Sequence, residues 1–427
     1  MAGWFRSEVD RRQRAVRWVR DDGWTVAAAA REVGRSRQWL HKWLGRYDAA
    51  GEVGFNSLSR APHRRPTATP AEVVARVLEV RTQLEAHPFA NRGAEAVRWE
   101  LAAQDYQPVP SEATIDRVLH RAGVTRQAPV GVRSPQRRPL PSCTEPGRWQ
   151  QIDWVGPRFL SRRVRFSSLH LVDVGGGGAA AAQYPDERLL RTVSFLTERA
   201  WPALSIPLHL QTDGAFVPQT PGPALVPFNS FVRCCLFFGV EVVVSPPEEL
   251  GWQNWVESFN GLWQARTIRR HTYSCPEEVS ADSDRFIDYY LWHKPCPRLR
   301  TTTHQTRFPG QLIETRRHLL RFPPDGFNTA DHLDHRGQLH IPLARGRLSY
   351  LCRVQPGGII DVARTRYPVP TATTGLVVCA TILTGSRRLV IRHQGDIIAT
   401  HPFPIPEPTT DPYHPPAPRG LFYRINE

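Results

Sequence analysis

The sequence predicts a multidomain fold with an N-terminal all-α part made of helix-turn-helix units, a central α/β part with a mixed sheet, and a C-terminal small all-β barrel. Apolar residues recur at helical spacing in residues 10–47 and again after residue 69. From Trp149 the pattern changes to strand-like runs that then alternate with helices, which is typical of a mixed sheet flanked by helices. Short strand-like runs separated by Gly, Pro and Asp turns between residues 336 and 403 predict the barrel.

Residues 10–47 predict three helices, the last two arranged as a helix-turn-helix. The second helix has apolar residues at i, i+3, i+4 and i+7 and ends at Gly34, and Ser36 caps the third helix. In this motif the second helix enters the major groove of DNA. The polar and basic residues on its outward face and at its start are Arg35, Arg37, Gln38, His41, Lys42 and Arg46. An ordinary three-helix bundle with a charged outer face is the alternative.

Positive charge is concentrated near the N-terminus. The chain has 55 Lys+Arg against 40 Asp+Glu and a net charge of +15, and residues 1–66 hold 14 of the former and 7 of the latter. Arg64 and Arg65 lie in a Pro/Arg-rich stretch suited to a phosphate backbone. Clustered positive charge favours a polyanion, because each phosphate neutralised releases a counterion. We therefore expect double-stranded DNA as the partner, against the alternative of a merely basic surface.

A second helical block follows, beginning with the predicted capping box Thr69-Pro70-Ala71-Glu72. Its third helix is predicted to begin after Ser111 and to end at Gly123. This block resembles another helix-turn-helix with less excess charge, and a packing role is the alternative. Residues 126–148 have the Pro, Arg and Ser content of an extended linker.

Composition excludes several classes of protein. The sequence contains no run of 18 apolar residues, and "MAGWFRSEVDRR" has no apolar signal core. The seven cysteines show no C-x-x-C spacing, which argues against a zinc ribbon or a disulfide framework. We expect a cytoplasmic, nucleoid-associated protein with no membrane segment and no zinc.

Three acidic residues stand where a site could form. Asp153 lies in the first predicted strand, Asp213 ends the strand "LHLQTD", and Glu257 lies on the helix after the last core strand, one turn before Asn260. Functional side chains gather at the carboxyl ends of strands in an open sheet. Three converging carboxylates would repel one another without a cation, and their oxygens suit Mg²⁺ or Mn²⁺. A solvated turn residue is the alternative for Asp213 taken alone.

The motifs "WQQIDWVGP", "LHLQTDGAF" and "SPPEELGWQNWVESFNGLW" together resemble the integrase core of bacterial insertion-sequence transposases and retroviral integrases, the RNase H-like DDE superfamily. The order of helix-turn-helix, second helical unit, core and C-terminal barrel is similar to that of bacterial insertion-sequence transposases. The third motif is the most specific, since a V-E-x-F-N-G helix after a Pro-Pro turn rarely arises by chance. The resemblance covers about residues 10–400.

The resemblance implies that Asp153, Asp213 and Glu257 are the catalytic metal-binding triad, with Asn260 positioning substrate or Glu257. It implies two Mg²⁺ or Mn²⁺ ions per active site, which activate a nucleophile and stabilise the leaving oxygen. Where the family usually has Asp-Asn-Gly, this sequence has Asp213-Gly214-Ala215, so a polar group beside the metals is missing.

The predicted domains have the following bounds: 1–62 helix-turn-helix, 63–125 second helical domain, 126–148 linker, 149–315 RNase H-like catalytic core, 316–405 small β-barrel, and 406–427 Pro-rich tail. The expected function is transposition: cutting DNA at element ends and joining the 3′-hydroxyls to target DNA, by a homo-dimer or tetramer. Two alternatives stay open. One is a decayed transposase that acts as a DNA-binding regulator, and the other is a metal-dependent nuclease that cuts without joining.

Overall fold

The computed structural model describes residues 5–58, 68–125, 143–160, 164–217, 227–247, 251–296 and 308–413. The chain divides into two compact units, Met1–Pro70 and Ala71–Glu427. The first unit is helical, and the second combines a helical block with a large mixed sheet. Arg64, Arg65 and residues 126–142 of the predicted 126–148 linker lie outside the described residues.

The N-terminal unit contains the three expected helices, α1 (Glu8–Arg20), α2 (Val26–Glu32) and α3 (Arg37–Ala50). Ser36 caps α3 as predicted, because its hydroxyl accepts a hydrogen bond from the Trp39 amide at 3.1 Å. The inner faces meet in one apolar cluster around Ala15, Ala30 and Leu40. The helix-turn-helix predicted from the apolar spacing is therefore confirmed.

The second helical block consists of α4 (Ala71–Ala86), α5 (Ala94–Ala103) and α6 (Glu112–Arg121). Its core is formed by apolar side chains from all three helices: Val77, Val80, Val97, Leu101, Ile115, Val118 and Leu119. The connection between α4 and α5 contacts the rest of the unit, since Phe89 packs in one cluster with Phe286 of a later helix.

The strands of the described residues have these bounds: β1 Trp149–Phe159, β2 Arg165–Asp173, β3 Ala179–Tyr184, β4 His209–Thr212, β5 Glu241–Val244, β6 Arg347–Arg353, β7 Ile359–Val362, β8 Thr365–Pro368, β9 Val377–Leu383, β10 Arg388–His393 and β11 Asp396–Pro402. Nine of these strands form one open mixed sheet in the order β11-β10-β9-β6-β5-β4-β1-β2-β3. Strands β1 to β3 are antiparallel neighbours, and β4 and β5 run parallel to β1. The central mixed sheet is thus present as expected.

The expected separate C-terminal barrel is wrong in its architecture. Strand β6 pairs in parallel with β5, with Val242 opposite Leu348, so β6, β9, β10 and β11 extend the core sheet. Strands β7 and β8 form a hairpin of their own. Among the described residues these strands do not close on themselves. The side chains of β6 and β9 share a single apolar cluster with those of β4 and β5, because pairing with β5 buries both sides of the junction.

Helices cover both faces of the sheet. They are α7 Leu189–Ser194, continued by a π-helical turn and α8 Trp201–Leu204, then α9 Ser230–Phe237, α10 Asn254–Arg266, α11 Pro276–Trp292 and α12 Pro309–Thr315. Val256, Phe259 and Trp263 of α10 pack against β2 and β3 on one face, while Ile152 and Leu210 face the larger cluster on the other. No described helix is long and apolar enough to cross a membrane. The seven cysteines are all free thiols.

Candidate active site and nucleic-acid interface

Asp153 projects from β1 toward α10. Its Oδ2 accepts a hydrogen bond of 2.7 Å from Nδ2 of Asn260, which lies one turn after Glu257 on α10. The bond shows that the middle of α10 lies directly against the strand that carries Asp153. Asn260 thus contacts the first aspartate; the sequence had left open whether it steadies Glu257 or substrate.

His170 fixes the orientation of Asn260. It lies opposite Asp153 in the β1–β2 register, and its Nδ1 donates to the Asn260 Oδ1 at 2.7 Å. The ring is fully buried and contacts Phe259 and Trp263 edge to face. Burial lowers the pKa of His170 to about 4, so the ring is neutral at physiological pH. Because the neutral ring donates its Nδ1 proton to Oδ1, the Asn260 amide has a single orientation, with its NH₂ group toward Asp153.

Asp213 directly follows β4. Its Oδ1 accepts a hydrogen bond of 3.0 Å from the Ala215 amide, and the Phe216 amide also bonds to the carboxylate. Burial raises the pKa of Asp213 despite these bonds. The backbone after Asp213-Gly214 therefore holds the carboxylate, although the family's Asn is missing at this point.

Glu257 lies in the first turn of α10 and is exposed. The Gly251 amide donates to its Oε1 at 3.3 Å. Gly251 has φ +85°, a conformation that favours glycine, and it turns the chain into α10. The turn and the helix thus place Glu257 at the end of α10 that faces the sheet.

The charges of Asp213 and Glu257 both act on Asp153. Burial raises the pKa of Asp153 to about 7, and the charge of Asp213 adds to the increase, as does the charge of Glu257 to a smaller extent. The hydrogen bond from Asn260 acts in the opposite direction. A carboxyl group held near two others in this way favours a bound cation, which relieves the repulsion.

No group of three or more His, Cys, Asp or Glu side chains is close enough to hold a metal ion in the part of the chain that the structure describes. Asp213 and Glu257 thus lie near enough to Asp153 for their charges to affect it, without forming a closed ligand cage among the described residues.

Two buried glutamines that the sequence reasoning missed connect the elements that carry the acids. Gln151 of β1 and Gln211 of β4 are neighbours in the parallel register, and Gln151 Nε2 donates to Gln211 Oε1 at 2.9 Å. Gln151 Oε1 accepts from the amides of Trp255 and Val256 at the start of α10, at 3.1 and 3.2 Å. The available signal was a Gln two residues before each Asp, in "QQID" and "LQTD".

The described residues expected to bind DNA form two sets, on α3 and just before it. Arg37, Gln38, His41 and Lys42 are exposed on its outward face. Arg35 is paired with Glu8 at 2.8 Å, and the Arg46 guanidinium lies over the Trp43 ring at 4.9 Å. Among the described residues, Arg37, Gln38 and His41 are free to reach a ligand. Lys42, whose Nζ lies 5.7 Å from the centre of the Trp43 ring, and the second set also contact the unit.

The helical part of the chain matches known families. Residues 6–55 match one family model described as a homeodomain-like domain, and residues 39–119 match a second model with the same description. Helix-turn-helix domains therefore account for the N-terminal quarter of the chain. No curated protein sequence matches the chain.

Solved structures similar to parts of the chain include retroviral integrases. The catalytic core domain of HTLV-2 integrase in complex with magnesium is 18% identical, covers 36% of this chain and 91% of its own, and gives a TM-score of 0.28. The simian T-cell lymphotropic virus intasome in complex with the PP2A regulatory subunit B56 gamma is 16% identical. The match covers 63% of this chain and 88% of that chain, with a TM-score of 0.32. The catalytic core domain of BIV integrase is 15% identical. The match covers 40% of this chain and 97% of that chain, with a TM-score of 0.29.

The family models thus identify homeodomain-like domains within residues 6–119. The identities of 15–18% and the TM-scores of 0.28–0.32 are too low for these structures to support a conclusion about this protein. Its helix-turn-helix matches, its mixed sheet and the order of Asp153, Asp213 and Glu257 along that sheet are all properties of its own chain.

Proposed function

We propose that this protein is a DDE transposase that binds the terminal repeats of its element, cuts phosphodiester bonds with water and joins the resulting 3′-hydroxyls to target DNA. The observation that carries the proposal is the attachment of α10 to the sheet. Asn260 bonds Asp153 at 2.7 Å, and the start of α10 bonds Gln151. The first turn of α10, which carries Glu257, thus lies against β1, and Gln211 of β4 bonds the Trp252 carbonyl just before that helix.

The carboxylates suit a divalent cation. Asp153 is a largely buried acid whose pKa is raised by burial and by the charges of Asp213 and Glu257, and hard oxygen ligands of this kind select Mg²⁺ or Mn²⁺. Asp153, Asp213 and Glu257 would hold the metal. When bound, a pair of such ions lowers the pKa of a water nucleophile and neutralises charge on the scissile phosphate.

The other residues bind and orient. The outward face of α3, with Arg37, Gln38, His41 and Lys42, reads the element end in the major groove. Asn260 holds one oxygen of Asp153, so that the other oxygen is presented to the site. Since two element ends must be joined to one target, the active form is a dimer or tetramer on DNA.

The test is a cleavage assay on duplexes that carry the element's own ends, with Mg²⁺ or Mn²⁺ present. Wild type is expected to nick the 3′ end, and EDTA should abolish nicking. Glu257→Gln should lower the rate by at least about 10³-fold, because the amide keeps the shape of the side chain and loses the charge that binds metal. Binding measured by mobility shift should be unchanged.

Glu277→Gln is the matched control, since Glu277 is also an exposed glutamate in the first turn of a helix, α11. It should cleave like wild type. If wild type and Glu257→Gln both bind the ends and are equally inert, the DNA-binding regulator replaces the transposase. If wild type cuts but never joins a pre-cut 3′-hydroxyl end to a target plasmid, the metal-dependent nuclease replaces it.

A further inference from the structure

The buried glutamine pair, Gln151 and Gln211, has every hydrogen-bonding capacity of both amides satisfied. Gln151 uses Oε1 for the Trp255 and Val256 amides and Nε2 for Gln211 Oε1 and the Trp252 carbonyl, at 2.9 to 3.3 Å. Gln211 Oε1 also accepts from Trp149 Nε1 at 3.0 Å, and its Nε2 donates to the Trp252 carbonyl and the Ser245 hydroxyl, both at 3.0 Å. A side-chain amide has two donors and two acceptor positions, so neither glutamine has an unused position.

These bonds allow only one orientation of each amide. Turning the Gln151 amide over would place its NH₂ against the Trp255 and Val256 N–H groups and its oxygen against Gln211 Oε1. Both glutamines are fully buried, where an unpaired polar group is costly. The glutamine pair therefore resists displacement and acts as a fixed connection.

The glutamine pair also caps α10 from outside the helix. The residue at the helix's own N-cap position, Gln253, makes no side-chain capping bond, and Gln151 instead accepts from the second and third amides of the helix. The cap is thus supplied by a strand, which ties the position of the helix to that strand. Glu257 is the next residue after the capped amides.

The same connection reaches both aspartates. Side chains two residues apart on a strand lie on one face, so Gln151 lies beside Asp153 on β1. Gln211 precedes Asp213 by the same interval, although Asp213 lies just past the end of β4. Ser245, at the end of β5, adds the next strand. One hydrogen-bonded unit thus joins the three elements that carry Asp153, Asp213 and Glu257.

We propose that Gln151 and Gln211 are positioning residues that set the distance between Glu257 and the two aspartates, and so the affinity of the site for its divalent metal. The proposal rests on the proposed metal-dependent function. Partners beyond the direct ligands of a metal site typically change metal affinity or activity by about 10- to 100-fold when they are mutated.

The test measures Mn²⁺ binding directly, by electron paramagnetic resonance on the full-length protein, together with the Mn²⁺ dependence of cleavage at saturating DNA. Gln151→Met keeps the length of the side chain and removes its four hydrogen bonds. It should raise the half-saturating Mn²⁺ concentration at least about tenfold, with DNA affinity unchanged. Gln211→Met should do the same, and the double variant should be little worse than either, because the two act as one unit.

Gln150→Met is the matched control. Gln150 is the neighbouring fully buried glutamine of β1, and it bonds the Ser205 carbonyl at 2.9 Å without contacting α10. The Gln150→Met change removes a buried amide. It should lower the melting temperature and leave the half-saturating Mn²⁺ concentration at the wild-type value. Ser245→Ala, which removes a single bond from Gln211, gives a milder version if Gln151→Met does not fold, and should raise the midpoint by a smaller factor.

The two proposals fail in different ways. If wild type binds Mn²⁺ and cleaves, but Gln151→Met and Ser245→Ala share its midpoint, the positioning role is wrong and the proposed function stands. If Gln150→Met shifts the midpoint as much as Gln151→Met, the effect is one of general stability and the positioning role is again wrong. If wild type neither binds Mn²⁺ nor cleaves, the proposed function fails, and the positioning role fails with it.

Discussion

The outward face of α3 and the glutamine pair beneath the acids are both polar, but their side chains are held in opposite ways. The side chains of Arg37, Gln38 and His41 are exposed and make no hydrogen bond or ion pair with any residue that the structure describes. Gln151 and Gln211 are fully buried and have all their hydrogen bonds. The outward face of α3 can therefore bind a ligand, whereas the glutamine pair contacts only other residues of the protein.

This difference separates what each region can contribute. An exposed, unpaired cation adds little to the free energy of unfolding but can neutralise a phosphate. A buried, saturated amide binds nothing, but it fixes the distances between the groups around it. Changes on α3 should therefore alter DNA affinity alone, and changes near the glutamine pair should alter chemistry at unchanged DNA affinity.

The sharpest way to break this contrast is Asn260→Ala, for which we expect a cleavage rate about 100-fold below that of wild type. The change removes the bond to Asp153 and leaves His170 Nδ1 without an acceptor, so Asp153 loses its fixed orientation. DNA affinity should change less than twofold. Gln264→Ala on the same helix, near its other end, is the control. A loss of DNA binding that matches the loss of rate would contradict the separation of the two regions.

Much of this arrangement could be predicted from sequence because it depends on local signals. Ser36 and Gly34 mark helix ends, and Asp213 and Glu257 follow short apolar runs that end at recognisable turns. Those signals need only neighbouring residues to be interpreted. The helix-turn-helix and the central mixed sheet, confirmed here, are features of this kind.

The misassigned barrel and the missed glutamines share a different cause. Strand β6 has the composition of a barrel strand, but its partner β5 lies about a hundred residues earlier, and composition does not specify such a distant partner. A glutamine such as Gln151 inside a predicted strand indicates a buried polar group, but the sequence does not show which residues bond to it. Its partner, the start of α10, is also remote in sequence.

A second prediction concerns pH and sharpens the description of the buried side. Folding keeps the pKa of His170 near 4, below the ordinary 6.5, so the unfolded chain takes up a proton in this interval and the folded chain does not. The contribution of His170 to the free energy of unfolding is fully present above pH 6.5 and is lost as the pH falls toward 4. At pH 5 the loss is about 2 kcal/mol.

The measurement is urea unfolding of wild type and His170→Gln between pH 7.5 and 4.5. Glutamine retains a donor for Asn260 and does not titrate, so the variant should lose less stability on acidification. Asp153 and Asp173, whose pKa values are raised, act in the opposite direction, but they are present in both proteins and cancel in the difference. His120→Gln, an exposed histidine on α6, should follow wild type. Parallel curves for wild type and His170→Gln would show that His170 is not kept neutral by burial.

The smallest expected effects are on α3, and they test the exposed side of the contrast. Arg37→Ala and Lys42→Ala should each weaken binding to the element end by about fivefold at moderate salt, because each removes one positive charge from the helix that faces the major groove. Melting temperatures should stay at the wild-type value. Where the lost contact is with a phosphate, the slope of log K against log salt should fall by about 0.9 and every sequence should lose affinity equally. Where it is with a base, the loss should be confined to the element end.

Arg14→Ala, which removes a charge already paired with Asp10 on α1, is the control and should change neither the affinity nor the salt dependence. If Arg14→Ala weakens binding as much as the α3 variants do, net charge rather than the outward face of α3 governs the affinity.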